Sequence, residues 1–203
     1  MKGLILKDLY MMRKYDISFL VIFAVFMAVS FFGGENSFFM VYPALLAGIL
    51  PVNLIAYDEK SKWMSYASVF PYSRRQIVTV KYIITAAVYL AILLCTFAVQ
   101  CVKVSVYGGD ISAVISIMSV LVPVGMLPPA VMLPLIFRLG VEKGRIVYIL
   151  GICIICAFIP MFTLNDGLRV DMGAVSMLMV LISLALFICS WFVSVKLFET
   201  REL

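Results

Sequence analysis

The sequence predicts an all-α membrane protein with six transmembrane helices, an N-terminal amphipathic interfacial helix, and a cytoplasmic helix between spans 2 and 3. The first observation behind this class is composition: 65% of the residues are hydrophobic and 13% are charged, against about 25% charged in soluble domains. The second is that the charges leave six long gaps, each close to the roughly 20 residues that a helix needs to cross a bilayer. The gaps are Ile17–Gly34, Asn36–Tyr57, Tyr82–Val102, Ile111–Phe137, Ile146–Asn165 and Met172–Val195.

Each gap predicts one span. We place the spans at 17–34, 38–57, 82–102, 112–137, 146–162 and 173–195, with Pro160 ending the fifth early. The longest cytoplasmic loop is then 58–81. The spans occupy most of the 203 residues, so we expect a single transmembrane domain, 1–203, without a separate soluble domain.

The distribution of Lys and Arg predicts the orientation. With six spans, both termini lie on one side of the membrane, and the segments on that side carry 14 of the 16 Lys and Arg residues. Short loops rich in Lys and Arg remain cytoplasmic. We therefore expect cytoplasmic N- and C-termini, and the net charge of +5 reflects topology rather than nucleic-acid binding.

The segment before the first span predicts the interfacial helix. On a helical wheel, Ile5, Leu9 and Met12 share one side, and Lys7 and Lys14 lie on the other. An apolar stripe opposite cations is typical of a helix in the headgroup plane. The alternative is a cytoplasmic extension of the first span.

The loop 58–81 combines charges with aromatic residues. Pro71 is expected to end one short helix, and Ser73 to cap the next helix, which continues into the third span. Trp63, Tyr66 and Phe70 recur at three- and four-residue spacing and share one face. This face indicates either a protein interface or a helix whose aromatic side chains sit at the headgroup level.

The sequence argues against chemistry inside the membrane. It has no histidine, and the predicted spans contain no ionisable group that would mark a proton or ion pathway. The spacing of Cys153 and Cys156 resembles a redox pair, but an apolar setting makes thiols unreactive, so we read all five cysteines as packing residues. We expect no catalytic, cofactor-binding or metal-binding residue.

Polar and proline positions are the candidates for a pathway or gate. Asn53 and Gln100 can form hydrogen bonds between helices or contact cargo. A kinked or interrupted fourth span is expected, since proline removes a backbone donor, and a broken helix can line a pathway. The prolines of this span are Pro123, Pro128, Pro129 and Pro134.

Three features together resemble the small permease subunits of ABC-2 type transporters. Leu4–Leu9 is similar to the amphipathic start of that family. Asp58-Glu59-Lys60 with Tyr66, then Pro71–Val78 and Lys81-Tyr82, look like its cytoplasmic loop. The six-span layout covers the whole chain. Within the family, the chain is similar to short permeases of bacterial exporters of phenol-soluble modulins and antimicrobial peptides.

This resemblance implies a bacterial cytoplasmic-membrane exporter whose ATP and Mg²⁺ are held by a partner ATPase. The chain itself contains no G-x-x-x-x-G-K-[ST] phosphate loop. Implied partners are the ATPase, a second permease copy (identical or a sibling), membrane lipids, and hydrophobic or amphipathic cargo such as peptides. The residues that would contact the ATPase are Glu59, Lys62, Trp63, Tyr66, Phe70, Pro71, Arg74 and Arg75.

One alternative remains open. A membrane anchor or regulator that transports nothing could bind a cytoplasmic partner through the same loop, 58–81. Reconstituted transport separates the two functions, because an anchor binds its partner and moves no cargo.

Overall fold

The computed structural model of the chain describes residues 2–15, 17–32, 38–63, 66, 73–108, 110–147, 149–150 and 172–200. Six helices account for most of them, and no strand occurs among the described residues. Residues 141–147 are also helical. The helices are α1 Lys2–Tyr15, α2 Ile17–Phe32, α3 Phe38–Lys60, α4 Arg74–Tyr107, α5 Ile111–Leu139 and α6 Met172–Glu199.

The described helices support a membrane protein. Three of them, α4, α5 and α6, contain stretches long and apolar enough to cross a bilayer. The directions of α1 and α2 differ by 67°, and the two add a fourth crossing if they count as one broken span. The predicted all-α class is confirmed for the described residues. The six-span arrangement stays a prediction, and most of the fifth span, 146–162, lies outside the described residues.

Two helices extend beyond the predicted spans into the predicted loop. α3 continues to Lys60, and α4 begins at Arg74. The start of α4 has the predicted cap: Gln76 N donates to Ser73 Oγ at 3.3 Å, and Ser73 N donates to Gln76 Oε1 at 3.2 Å. This reciprocal pair satisfies two backbone donors that a helix start leaves open.

Helix α5 is continuous through all four of its prolines, so an interrupted fourth span is wrong, whereas the alternative expectation, a kinked helix, stays a prediction. Neighbouring helices support this stretch. Tyr89 of α4 donates its hydroxyl to the Leu121 carbonyl oxygen at 2.5 Å, and its ring lies directly on Gly125, where an added Cβ would overlap it. Gly48 of α3 approaches from another side, because a Cβ there would lie 3.2 Å from Pro129 Cδ. Small residues and one tyrosine thus let three helices meet around the proline-rich segment.

The last helix is held against α4 and α5. α6 packs most extensively on α5, and Phe137 and Phe198 meet edge to face at 5.3 Å. On its other side, Tyr82 of α4 forms hydrogen bonds with Ser190 Oγ at 2.6 Å and Ser194 Oγ at 2.7 Å. Inter-helix hydrogen bonds of this kind stabilise a membrane bundle by about 0.6 kcal/mol on average.

Candidate functional site

A buried cluster of four charges joins three separate parts of the chain. Lys81 Nζ of α4 lies 2.8 Å from Asp8 Oδ2 of α1 and 2.6 Å from Asp58 Oδ2 of α3. Lys7 Nζ lies 2.6 Å from Asp58 Oδ1 and 3.3 Å from Asp8 Oδ1. The side chains of Asp8, Asp58 and Lys81 are at most 2% exposed, whereas Lys7 is 25% exposed. We call these four residues the ion cluster.

The ion cluster is electrically balanced, with two cations and two carboxylates. Each isolated charge would be costly at this depth, so each requires a partner. Leu4, Leu54 and Ile84 of the same three helices form a buried apolar cluster, and each lies three or four residues from Asp8, Asp58 or Lys81 along its helix. Such a site fixes the relative position of three helices, because displacement of one would leave its charge unpaired.

The ion cluster contains one residue from each of the two helices that flank the loop between α3 and α4. Asp58 is in the last turn of α3, and Lys81 is in the third turn of α4. Ser61 and Lys62 form a turn after α3, in which Lys62 takes a left-handed conformation with φ of 53°. The end of α3 and the third turn of α4, which flank segment 61–73, are thus both linked to α1.

Trp63 is half-buried and lies beside one member of the ion cluster, Lys7. Lys7 Nζ lies 4.4 Å from the centre of the Trp63 ring, a cation–π distance. The ring also packs against apolar residues near α1 and α6. Tyr66, by contrast, is 63% exposed, so the two aromatic residues do not present one common exposed face. Phe70 and Pro71 lie outside the described residues.

Arg74 and Arg75, also predicted for the ATPase contact, have partners within the chain. Arg74 Nη1 donates to the carbonyl oxygens of Phe198 at 3.3 Å and Glu199 at 3.0 Å, which satisfies the end of α6. The guanidinium of Arg75 lies 5.3 Å from the centre of the Trp191 ring. Both arginines therefore connect the start of α4 to α6, and Arg75 remains exposed.

Glu59 and Asn53 form a second connection, between α3 and the helical residues 141–147. Glu59 Oε2 accepts from Val141 N at 2.9 Å, and Arg145 Nη2 donates to Asn53 Oδ1 at 3.1 Å. Gly140 makes the sharp turn between α5 and this segment with φ of 86°, a conformation that favours glycine. A cleft of about 640 Å³ lies between these elements.

The residues predicted for a pathway do not converge. Asn53 borders the cleft, whereas Gln100 Nε2 donates to Ser30 Oγ at 3.5 Å in another part of the bundle. Both amides therefore connect helices. Pro128 and Pro129 contact Gly48, and Pro123 is buried. Their role in a pathway stays a prediction.

Within the described parts of the chain, no group of His, Cys, Asp or Glu could hold a metal ion. Cys95, Cys101 and Cys189 are free thiols, and Cys153 and Cys156 lie outside the described residues. The residues that sequence reasoning missed are the buried charges. Asp8, Asp58 and Lys81 lie outside the predicted spans, and sequence reasoning did not predict that they are buried. The pairing of Lys7-Asp8 with Asp58 and Lys81 was not visible in local spacing.

These features define a helical membrane protein in which ion pairs link the N-terminal helix to the two helices that flank a short charged loop. The profile of the ABC-2 family transporter proteins matches residues 3–199, and the chain belongs to that family. Comparison with curated proteins and with solved structures gave no significant match. Membership supports a permease subunit, the membrane component of a transporter.

Proposed function

We propose that the chain is the permease subunit of an ATP-driven exporter, coupled through the segment 61–73 to a separate ATPase. Two permeases, identical or siblings, would form the pathway in a bacterial cytoplasmic membrane with their termini in the cytoplasm. The cargo would be hydrophobic or amphipathic, with peptides as one class. Family membership supports the permease role.

The ATP site belongs to the partner in this proposal. The sequence lacks a phosphate loop, and the described residues contain no metal-binding group. The proposal therefore assigns ATP and Mg²⁺ to the partner ATPase. What the chain supplies is a mechanical connection between a cytoplasmic surface and its helices.

The observation that carries the proposal is the ion cluster. A partner that pushes on segment 61–73 displaces the end of α3 and the start of α4. Because Asp58 and Lys81 share their charges with α1, these three elements would move as one unit. Buried ion pairs resist separation, since a charge without its partner costs several kcal/mol.

The proposed contact surface is narrower than the one predicted from sequence. Tyr66 is the most exposed of the predicted aromatic anchors with described side chains, and Lys62 and Arg75 are exposed beside the loop. Exposed tyrosine beside cations is typical of interface centres. Trp63 would act indirectly, by holding the loop on the ion cluster. The cleft beside Glu59 would provide a second, smaller contact.

The test compares two tyrosines of equal exposure. Tyr66 and Tyr10 are each 63% exposed, but only Tyr66 lies in the loop. The full chain would be coexpressed with candidate ATPases and purified. We expect Tyr66→Arg to reduce both co-purification and permease-stimulated ATP hydrolysis about tenfold or more, as for an interface anchor worth at least 1.4 kcal/mol. Tyr10→Arg is expected to change neither.

Two outcomes would contradict the proposal. No ATPase co-purifies with the unchanged chain, or Tyr66→Arg and Tyr10→Arg behave alike. Reconstitution into vesicles with the ATPase addresses the alternative function. An anchor or regulator would keep the complex and stimulate hydrolysis without moving cargo.

A further inference from the structure

An apolar groove of about 520 Å³ opens between α1, α2 and α4. Its walls include Leu9 and Met12 of α1, Phe23 of α2 and Ala91 of α4, and Leu50 of α3 forms part of the wall. Along α4 the groove extends from Val88 to Cys95, about 10 Å at 1.5 Å per residue. The groove is distinct from the ion cluster and from the cleft beside Glu59.

The described lining of the groove is apolar apart from one cation. Among the described residues, Arg13 in the last turn of α1 is the only charged one that lines the groove. Arg13 is exposed and makes no ion pair or hydrogen bond with the described residues. An exposed arginine next to an apolar groove complements a molecule with a long hydrocarbon part and an anionic end.

We propose that the groove binds one acyl chain of an anionic phospholipid, whose phosphate pairs with the Arg13 guanidinium. The planar guanidinium donates two parallel hydrogen bonds to phosphate oxygens. Basic pockets between transmembrane helices bind lipid headgroups in the same way. The hydrocarbon chain would fill the groove between Phe23 and Ala91.

The lining argues against a peptide as the occupant. A peptide in the groove would place backbone amide N–H and C=O groups along its whole buried length, and these groups need hydrogen-bond partners when they leave water. The described lining side chains other than Arg13 are apolar or cysteine, so they offer almost no hydrogen-bond partners. An acyl chain has no polar group below its ester. It is therefore the chemistry that the groove fits.

The test measures lipid binding to the purified full chain by native mass spectrometry. Phosphatidylglycerol and phosphatidylcholine with matched acyl chains would be titrated into detergent-solubilised protein. We expect one phosphatidylglycerol to bind about fivefold tighter than phosphatidylcholine. That factor corresponds to about 1 kcal/mol for one cation near an anionic headgroup.

Two pairs of variants separate the contribution of the lipid headgroup to binding from that of the acyl chain. Arg13→Gln is expected to abolish the preference for phosphatidylglycerol, and Lys14→Gln, a neighbouring cation outside the groove lining, to keep it. Ala91→Trp is expected to fill the groove and weaken both lipids at least tenfold. Leu90→Trp, on the same helix but outside the lining, is the matched control. Ala91→Leu replaces Ala91→Trp if the larger side chain lowers the thermal midpoint.

Several results would overturn the proposal. The unchanged chain binds both lipids equally, Arg13→Gln keeps the preference, or blocking the groove leaves binding unaltered. A further arm tests whether a second copy covers the groove. For this arm, a variant that keeps Cys95 as its only cysteine would be oxidised in membranes. A disulfide-linked dimer would assign the groove to the second copy.

Discussion

Replacing Lys81 with methionine should reveal how strongly the ion cluster holds the helices together. The substitution keeps a long unbranched side chain and removes one charge. Asp8 and Asp58 then face Lys7 alone, so the cluster changes from neutral to a net charge of −1. Lys7 cannot compensate fully, because its side chain is 25% exposed and already lies near both carboxylates.

The distances set the scale of the effect. At an effective dielectric constant of about 20, charges 2.6–2.8 Å apart attract by about 6 kcal/mol for each pair. Desolvation of the three buried ions offsets most of this attraction, at several kcal/mol per ion. Removal of one partner of a buried pair costs about 3–5 kcal/mol, because the remaining charge stays buried. We expect a loss in this range for Lys81→Met.

The assay is unfolding of the purified chain by SDS titration in mixed micelles, followed by tryptophan fluorescence. The chain has two tryptophans, and Trp63 lies above Lys7, so it reports on the cluster directly. Lys196→Met serves as the control, since this exposed lysine of α6 should change stability by less than about 0.5 kcal/mol.

A double variant tests the electrostatic explanation. Asp58→Asn combined with Lys81→Met leaves Lys7 and Asp8 as a balanced pair. The double variant should lose less free energy of unfolding than the two single variants lose together, and the difference should be about 0.5–3 kcal/mol. A loss below about 1 kcal/mol for Lys81→Met, or strictly additive losses, would refute the reasoning.

The other contacts give three further predictions. Gly125→Ala should destabilise the chain by about 1–3 kcal/mol in the same titration, since the new methyl group overlaps the Tyr89 ring; Tyr89→Leu should recover part of the loss, and no recovery would contradict the overlap. Tyr82→Phe should cost about 1–2 kcal/mol by loss of two inter-helix hydrogen bonds, and an unchanged midpoint would show that they contribute nothing. Arg74→Gln should cost about 1 kcal/mol and increase hydrogen exchange at the end of α6; unchanged exchange there would disprove its capping role.

Much of the fold follows from local signals in the sequence. The charge gaps place the helices, because a charge inside an apolar helix is costly. The first gap begins at Ile17, where α2 begins, and the last begins at Met172, where α6 begins. The start of α4 was predictable from Ser73, because serine is a favoured N-cap residue.

The same rule failed at Asp58. This charge borders a gap and was assigned to the loop 58–81, but it lies in the last turn of α3. Lys81 was expected in the helix that starts after Ser73, but its burial was not, because the partners that neutralise both charges come from distant segments. For α1, the wheel grouped Ile5 and Leu9, whereas the buried positions are Leu4 and Asp8. A buried aspartate is recognisable only once its lysine is known.

The continuity of α5 likewise depends on contacts with residues that are distant in sequence. Four prolines in one span argue for a break when the span is considered alone. The close fit of Tyr89 on Gly125 and of Gly48 on Pro129 comes from α4 and α3. No periodicity within 111–139 encodes these contacts.

The ion cluster has a consequence for biosynthesis. Lys81 follows Asp8 by 73 residues. At about 5–20 residues per second, α1 waits roughly 4–15 s for its final ionic partner. Until Asp58 is made, Lys7 and Asp8 can pair with each other but with no other member of the cluster. α1 can therefore reach its final ionic environment only after α3 and the start of α4 have been synthesised.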